Sequence, residues 1–141
     1  MNYFLAVNNP NKYDYKLLLR DGHEIDHWAA RKLSGSQPTA GDVVFHYVTT
    51  AGGAETGIHF RMVCTGTDYG VIPVQYWKPG EHPADPIRFI NLTGARKSRK
   101  KPALDVKSIS HSLGMEHPAK GLQVDLIQLC HSMAEEIEKH F

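Results

Sequence analysis

Residues 43–66 constrain the fold of this 141-residue chain more than any other segment. The run VVFHYVTT, residues 43–50, is rich in β-branched and aromatic side chains, which favour strands. AGGAET follows as a glycine-containing turn, and GIHFRMVCTG, residues 57–66, supplies a partner strand. The pattern predicts an antiparallel hairpin, so the fold must contain a sheet.

Other segments predict three further strands and several helices. NYFLAV, residues 2–7, predicts an opening strand, and IRFINLTG, residues 87–94, predicts a strand with apolar residues on both faces. Helices are expected within residues 13–22 and 26–33, whereas residues 103–120 read as a loop. Residues 121–141 predict a short strand and then a helix, which starts at a capping box and carries an apolar stripe of Leu126, Cys130, Met133, Ile137 and Phe141.

This order of elements predicts an α+β domain that spans residues 1–141. We expect a curved, antiparallel-rich sheet or small barrel flanked by helices. The length is sufficient for one core.

The net charge of +1 conceals a local concentration of cations. Five of the six residues in RKSRKK, residues 96–101, are basic, so the rest of the chain is mildly acidic. The two cysteines, Cys64 and Cys130, lie far apart without a CxxC pattern, which favours two buried free thiols in a reducing compartment, with a disulfide as the alternative. The first residues do not match a signal peptide and no apolar run reaches membrane-spanning length, so we expect a protein without a leader, in the cytoplasm and without membrane partners.

The nine histidines match no metal-binding or catalytic pattern. The sequence also lacks the nucleophile elbow, the P-loop and the dinucleotide fingerprint. We therefore expect a binding protein with no catalytic residue, metal or cofactor. An enzyme on the same fold would need a polar cluster such as His46, His59 and Asp42.

The basic run and several aromatic residues point to nucleic acid. The run is predicted to lie in a loop, where its cations suit phosphate contacts, although a solvated charged loop explains it equally well. The predicted phosphate-binding residues are Arg96, Lys97, Arg99, Lys100 and Lys101. Trp28, Tyr47, Tyr76 and Trp77 lie near loops or strand ends, where a base could stack on them. Each of them is also a candidate core residue.

The succession of motifs resembles EVE domains. YFLAVNNPNKYDYKLLLRDG resembles their opening, and AARKL followed by AGDVVFHYVT resembles their Ala-Arg helix and Gly-Asp strand. ETGIHFRMVCTG and KGLQVDLIQL resemble the following Gly-Ile strand and the closing Gly-x-x-Val strand. The family often carries a Trp-x-Gly-Val-Arg-Asn block before the Ala-Arg pair, which this chain replaces with GHEIDHWAARK.

The resemblance implies a PUA-like small mixed β-barrel of about five to six strands flanked by helices, related to YTH readers. It also implies a pocket for a modified, methylated base flipped out of DNA or RNA. Together with the aromatic analysis, it yields a predicted base pocket of Asn8, Asn9, Trp28, Ala30, Arg31, His46, Tyr47, Thr49 and Trp77. The alternatives are a specificity or interaction subunit of a larger restriction or RNA-processing complex, and a PUA-like hydrolase.

Overall fold

The computed structural model describes residues 1–14, 16–17, 25–49, 56–73, 75–100, 103–119 and 124–141. Among these residues, the strands are β1 Tyr3–Asn8, β2 Ile25–Ala29, β3 Leu33–Ser34, β4 Val43–Val48, β5 Gly57–Gly70, β6 Ile87–Lys97 and β7 Leu126–Leu129. The helices are α1 Val106–Ser112 and α2 His131–Glu138. The strands form one sheet in the order β2-β6-β5-β4-β1-β7-β3.

The α+β class and four predicted strands are confirmed. β4 and β5 form the antiparallel hairpin, β5 pairs with β6, and β1 pairs in parallel with β4. In the described part of the chain the sheet has seven strands rather than the expected five to six, and it is open rather than a closed barrel.

The open sheet is nevertheless strongly curved, because its two edge strands are consecutive in the chain. β2 ends at Ala29 and β3 begins at Leu33. The link between them, residues 30–32, spans about 14 Å at most when it is fully extended. A flat sheet of seven strands would separate these edges by about 29 Å. The sheet must therefore curl until its edges approach each other, and the link lies at the opening between them.

The curved sheet separates two apolar cores, and the parallel β1–β4 pair contributes to both. Phe4, Ala6, Val44 and Val48 face the inner core, which also contains Trp28. The alternate residues, including Leu5, Val43 and Phe45, face an outer core formed with α1 and α2. Burial on both faces explains why this stretch of β4 is a continuous apolar run with one histidine.

The helix expected over residues 26–33 is wrong. β2 pairs antiparallel with β6, where Trp28 lies opposite Ile90. Its neighbour Ala29 packs on the other face with Ile72 and Phe89. The local sequence AARKL favours a helix, but pairing with β6 and burial of Trp28 override that preference. Residues 18–22 of the earlier predicted helix lie outside the described residues.

The C-terminal third also differs from the sequence prediction. Residues expected to form a loop include α1, whose N-cap Asp105 accepts a hydrogen bond from the Lys107 backbone N–H at 3.0 Å. The apolar stripe is interrupted, because Leu126 belongs to β7 and the last helix starts only after Cys130. The capping box therefore lies outside the helix. No helix in the described part of the chain is long and apolar enough to cross a membrane.

Gly57 at the start of β5 offers a test of how closely β5 approaches the backbone of Leu104. Its φ is +142°, and a Cβ there would lie 2.5 Å from the backbone oxygen of Leu104. We expect Gly57→Ala to lower the free energy of unfolding by about 1–3 kcal/mol, measured by urea denaturation. Gly66→Ala is the matched control, since its φ is +153° and nothing lies within 4 Å of the added atom. Equal losses in both variants would contradict the steric explanation.

Candidate functional site

A cavity of about 450 Å³ opens where β1 and β4 end, beside the link between the sheet edges. The cavity lies between the end of β1, the residues after β4, the link between β2 and β3, and the residues that precede β7. Its lining consists of Val7, Asn8, Asn9, Lys12, Tyr13, Trp28, Arg31, Lys32, Thr49, Trp77, Val124 and Asp125. The volume lies within the range of about 300–1,000 Å³ that is typical of small-ligand sites.

Three aromatic rings form one side of the cavity. Trp28 and Trp77 are nearly parallel, with ring centroids 6.0 Å apart and planes 18° apart. Tyr13 meets both of them edge-on, at 4.9 Å from Trp28 and 5.3 Å from Trp77. Such pairs stabilise each other beyond the area they bury. The cavity therefore has a preformed aromatic wall.

Backbone contacts fix the outer part of this wall. Tyr13 and Trp77 form an isolated antiparallel bridge. On either side, Asp14 N–H donates to the Tyr76 carbonyl at 2.7 Å and Lys78 N–H donates to the Lys12 carbonyl at 2.8 Å. Tyr76 has φ +69°, an unfavourable value for a residue with a side chain. The chain thus tolerates local strain immediately before Trp77.

Trp28 belongs to the core and to the cavity at once. It is only 4% exposed, yet it lines the cavity. Its indole Nε1–H donates to the Asp125 backbone oxygen at 2.8 Å. Its ring neighbours are Tyr13, His46 and Trp77, and it also belongs to the inner core, where it lies opposite Ile90. The alternatives drawn from the sequence, core residue or cavity wall, therefore both apply.

Two buried polar side chains lie on the inner face of the parallel β1–β4 pair. Asn8 and His46 are 0% and 1% exposed, and none of their side-chain nitrogen or oxygen atoms has a hydrogen-bond partner among the described residues. Burying such groups without partners is costly. Asn8 lines the cavity, so its carboxamide can both donate to and accept from a bound molecule.

His46 lies behind the aromatic wall and remains uncharged. Its ring centroid is 4.7 Å from that of Phe60 and 5.1 Å from that of Trp28. Burial, reinforced by repulsion from His59, lowers the pKa of His46 to about 3. It therefore contributes a neutral ring to the packing under the cavity.

The opening carries three cations and one carboxylate. Lys12, Arg31 and Lys32 are exposed, whereas Asp125 is largely covered. Arg31 Nε lies 3.4 Å from Asp125 Oδ2, and the side chain of Arg31 is 47% exposed. Burial raises the pKa of Asp125, and Arg31 opposes that effect. The excess of positive charge suits an anionic ligand.

Six of the nine residues predicted for the pocket line this cavity: Asn8, Asn9, Trp28, Arg31, Thr49 and Trp77. Within this group Asn9 has a structural contact, because its side-chain oxygen accepts from the Asn11 N–H at 2.9 Å. Ala30 and His46 are buried beside the cavity without lining it. Tyr47 is corrected, because it faces the outer core and its ring contacts His117.

The basic run does not form the single cationic loop that was predicted. Arg96 and Lys97 are the last residues of β6, and side chains of successive strand residues point to opposite faces. Lys97 pairs with Phe60 of the inner core, whereas Arg96 pairs with Arg61, whose guanidinium bonds Glu138 of α2. Arg99 N–H donates to the His140 carbonyl, so the chain turns towards α2. Lys100 is exposed, and Lys101 lies outside the described residues.

The polar cluster required for the hydrolase alternative does not converge. Asp42 precedes His46 by four strand residues, or about 13 Å along β4. Its carboxylate already accepts hydrogen bonds from the backbone N–H groups of Asn2 and Thr39. Among the described residues, no group of three or more His, Cys, Asp or Glu side chains could hold a metal ion.

Sequence reasoning missed the other residues of the lining. These are Val7, Lys12, Tyr13, Lys32, Val124 and Asp125. Lys12 and Tyr13 directly follow the Asn-Asn-Pro turn after β1, and Lys32 adjoins Arg31, so proximity to predicted site residues was an available signal. Asp125 gave no local signal, because it reaches the site through contacts with distant segments.

No protein-family model matches the chain, and a search of curated proteins finds no match. Solved structures do resemble it. A hypothetical protein from Leishmania major has a TM-score of 0.63 at 14% identity, over 99% of this chain and 93% of that chain. A protein from Pseudomonas putida has a TM-score of 0.60 at 14% identity, over 97% of each chain.

Human THYN1, solved in complex with DNA containing 5-methylcytosine, has a TM-score of 0.61. The two sequences are 13% identical over 99% of this chain and 96% of THYN1. At such low identities the likeness concerns the fold alone. The chain therefore shares its α+β fold with THYN1 and with the other two proteins.

Proposed function

We propose that this protein binds nucleic acid and holds one modified base, extruded from its stack, in the aromatic cavity. The observation that carries this proposal is the placement of the unpartnered Asn8 carboxamide beside the Trp28, Trp77 and Tyr13 rings. The fold likeness to THYN1, whose structure contains methylated DNA, supports the same class of ligand.

Elementary energetics are compatible with this role. Extruding a base costs a few kcal/mol, and stacking on an aromatic side chain returns about 1–3 kcal/mol per base. Hydrogen bonds from Asn8 to the base edge would add discrimination, because a ligand that leaves buried polar atoms unpaired binds poorly.

The exposed cations would position the backbone. Lys12, Arg31 and Lys32 surround the opening and are the nearest groups to phosphates flanking the bound base. Lys97 lies three strands away at the same end of the sheet, on the order of 14 Å if the sheet were flat. It could contact the same backbone a few nucleotides away. Arg96, Arg99 and Lys100 remain proposed phosphate contacts, as does Lys101, which lies outside the described residues.

Trp77 gives the sharpest test, because it is only partly buried and its loss should leave the core intact. We expect Trp77→Ala to weaken binding to an oligonucleotide containing 5-methylcytosine about 5- to 150-fold, the equivalent of one lost stacking contact. Fluorescence anisotropy would measure the dissociation constants on single- and double-stranded DNA and RNA, with and without the methyl group, at two salt concentrations.

Tyr69→Ala is the matched control, since Tyr69 is an aromatic residue 75% exposed on the β5–β6 hairpin, and it does not line the cavity. It should bind like the unsubstituted protein. Equal effects of the two substitutions, or equal binding of methylated and unmethylated oligonucleotides, would refute the proposed function. Melting temperatures of all proteins would verify folding.

A further inference from the structure

His46 is a buried polar residue that the lining of the cavity does not account for. Asn8 and His46 are the two described residues whose buried side-chain nitrogen or oxygen atoms lack a hydrogen-bond partner. Asn8 lines the cavity, so a bound molecule can pair with it, whereas His46 does not line it. An imidazole buried without a partner lowers stability, and an apolar side chain of similar volume would not. The presence of His46 therefore requires a physical explanation other than core packing.

The His46 ring contacts two of the three rings of the aromatic wall. It meets Trp28 edge-on, with centroids 5.1 Å apart and planes 70° apart. It is tilted by 35° against Tyr13, with centroids 5.7 Å apart. Its further described ring neighbour is Phe60 of the inner core, at 4.7 Å. The wall thus packs directly against an imidazole that is itself 1% exposed.

The sheet holds the backbone of His46 in place. β4 lies between β1 and β5, and His46 is opposite Ala6 of the inner core in the parallel register. On the other side it pairs with Phe60, and the register shifts immediately afterwards, between His46 and Tyr47. Such irregularities aim the side chains next to them. The imidazole therefore has a fixed base from which it can orient its neighbours.

A neutral imidazole is well suited to orient aromatic rings. Burial lowers the pKa of His46 to about 3, so the ring is uncharged and has a single N–H. That N–H can donate weakly to a π face, and the flat ring can meet its flat neighbours by edge or face. Leucine would fill a similar volume, but it has neither a flat face nor an N–H. Above leucine, the rings of Trp28 and Tyr13 would be less restricted in orientation.

We propose that His46 is a positioning residue, which holds the Trp28 and Tyr13 rings in the orientation that receives the ligand and thereby lowers stability in exchange for affinity. This inference rests on the proposed function and adds a residue that acts through the wall without touching the bound molecule. Preorganised side chains bind more tightly, because less conformational freedom is lost on binding.

The test compares affinity and stability in His46→Leu. We expect it to bind an oligonucleotide containing 5-methylcytosine about 3- to 10-fold more weakly, the equivalent of ordering one further side chain on binding. Its midpoint of urea denaturation at pH 7 should not decrease. Fluorescence anisotropy and urea denaturation would measure the two quantities. His46→Met, whose side chain is also apolar and of similar volume, should give the same result and serves if leucine distorts β4.

Near-UV circular dichroism reports the order of the wall without any ligand, because it is sensitive to fixed packing of aromatic side chains. The chain has two tryptophans, Trp28 and Trp77, and both belong to the wall. The tryptophan bands of the spectrum therefore report this site alone. We expect these bands to be weaker in His46→Leu than in the unsubstituted protein.

Phe45→Leu is the matched control. Phe45 precedes His46 on β4 but faces the outer core, where its ring stacks on Tyr3 and Phe141. The smaller side chain leaves a cavity there, so the midpoint of denaturation should decrease. The dissociation constant and the tryptophan bands should remain those of the unsubstituted protein.

Each outcome decides one of the two proposals. An unchanged dissociation constant or unchanged tryptophan bands in His46→Leu would overturn the positioning role. A fall in its stability together with its affinity would also overturn that role, because His46 would then be an ordinary core residue. If Trp77→Ala has no effect on binding, the proposed function fails, and the tryptophan bands still show whether His46 orders the wall.

Discussion

Replacing Trp28 with alanine is expected to lower the free energy of unfolding by about 3–5 kcal/mol. The indole is 4% exposed, so its removal leaves a cavity among Tyr13, His46 and Trp77. It also removes the hydrogen bond that connects β2 to the Asp125 carbonyl. Urea denaturation followed by circular dichroism would measure the loss.

Two variants make this result specific. Trp28→Phe retains an aromatic ring but not the indole N–H, and should lose less than half as much stability as Trp28→Ala. Trp77→Ala removes the same side chain from a partly buried position, and should also lose less. A loss below about 1 kcal/mol for Trp28→Ala would show that the ring is not part of the core. Because folding and binding both depend on Trp28, Trp77 is the better residue for testing ligand stacking.

Acidification should destabilise the protein through His46. An unfolded histidine takes up its proton near pH 6.5, whereas the pKa of His46 in the fold is about 3. Between these values the unfolded state binds more protons, so stability falls as the pH decreases below 6.5. The loss attributable to His46 should reach about 2 kcal/mol at pH 5 and continue to grow towards pH 3.

His46→Leu should reduce this loss, because leucine has no proton to gain on unfolding. At pH 7 its stability should equal or exceed that of the unsubstituted protein, since a buried polar ring without a described partner is replaced by an apolar side chain. Denaturant titrations from pH 4.5 to 7.5 would compare it with His111→Leu, a substitution at an exposed position of α1. Partial burial also lowers the pKa of His27 and of His117, so some acid sensitivity should persist. Parallel pH profiles for all three proteins would contradict the assignment to His46.

The strands were predictable because the residue types within each segment favour a strand, whatever the rest of the chain does. VVFHYV and GIHFRMV contain β-branched and aromatic residues in an order that suits a pleated surface, and the glycine-containing sequence AGGAET lies between them. The segment IDHWA was wrongly predicted to be part of a helix, because it runs into the helix-favouring sequence AARKL. It is a strand because β6 pairs with it. Short α1 was missed because seven residues provide room for few apolar repeats.

The site was predictable only in part, because some of its residues are brought together only by the folded sheet. Asn8, Trp28 and Thr49 follow from strand ends, where cavity residues accumulate. Asp125 is 97 residues from Trp28 in sequence, and only the folded sheet brings its carbonyl to the indole. Tyr47 was misplaced because the alternation of strand side chains, rather than closeness in sequence, decides which face a residue occupies.

The link of residues 30–32 joins the two edges of the sheet and also carries two of the cations at the cavity opening. Its length limits how far those edges can separate, and its side chains set much of the local electrostatic potential. The width of the entrance and its attraction for anions are thus encoded in one tripeptide. Insertions or deletions there would alter both properties together, which leaves evolution little freedom to tune them separately.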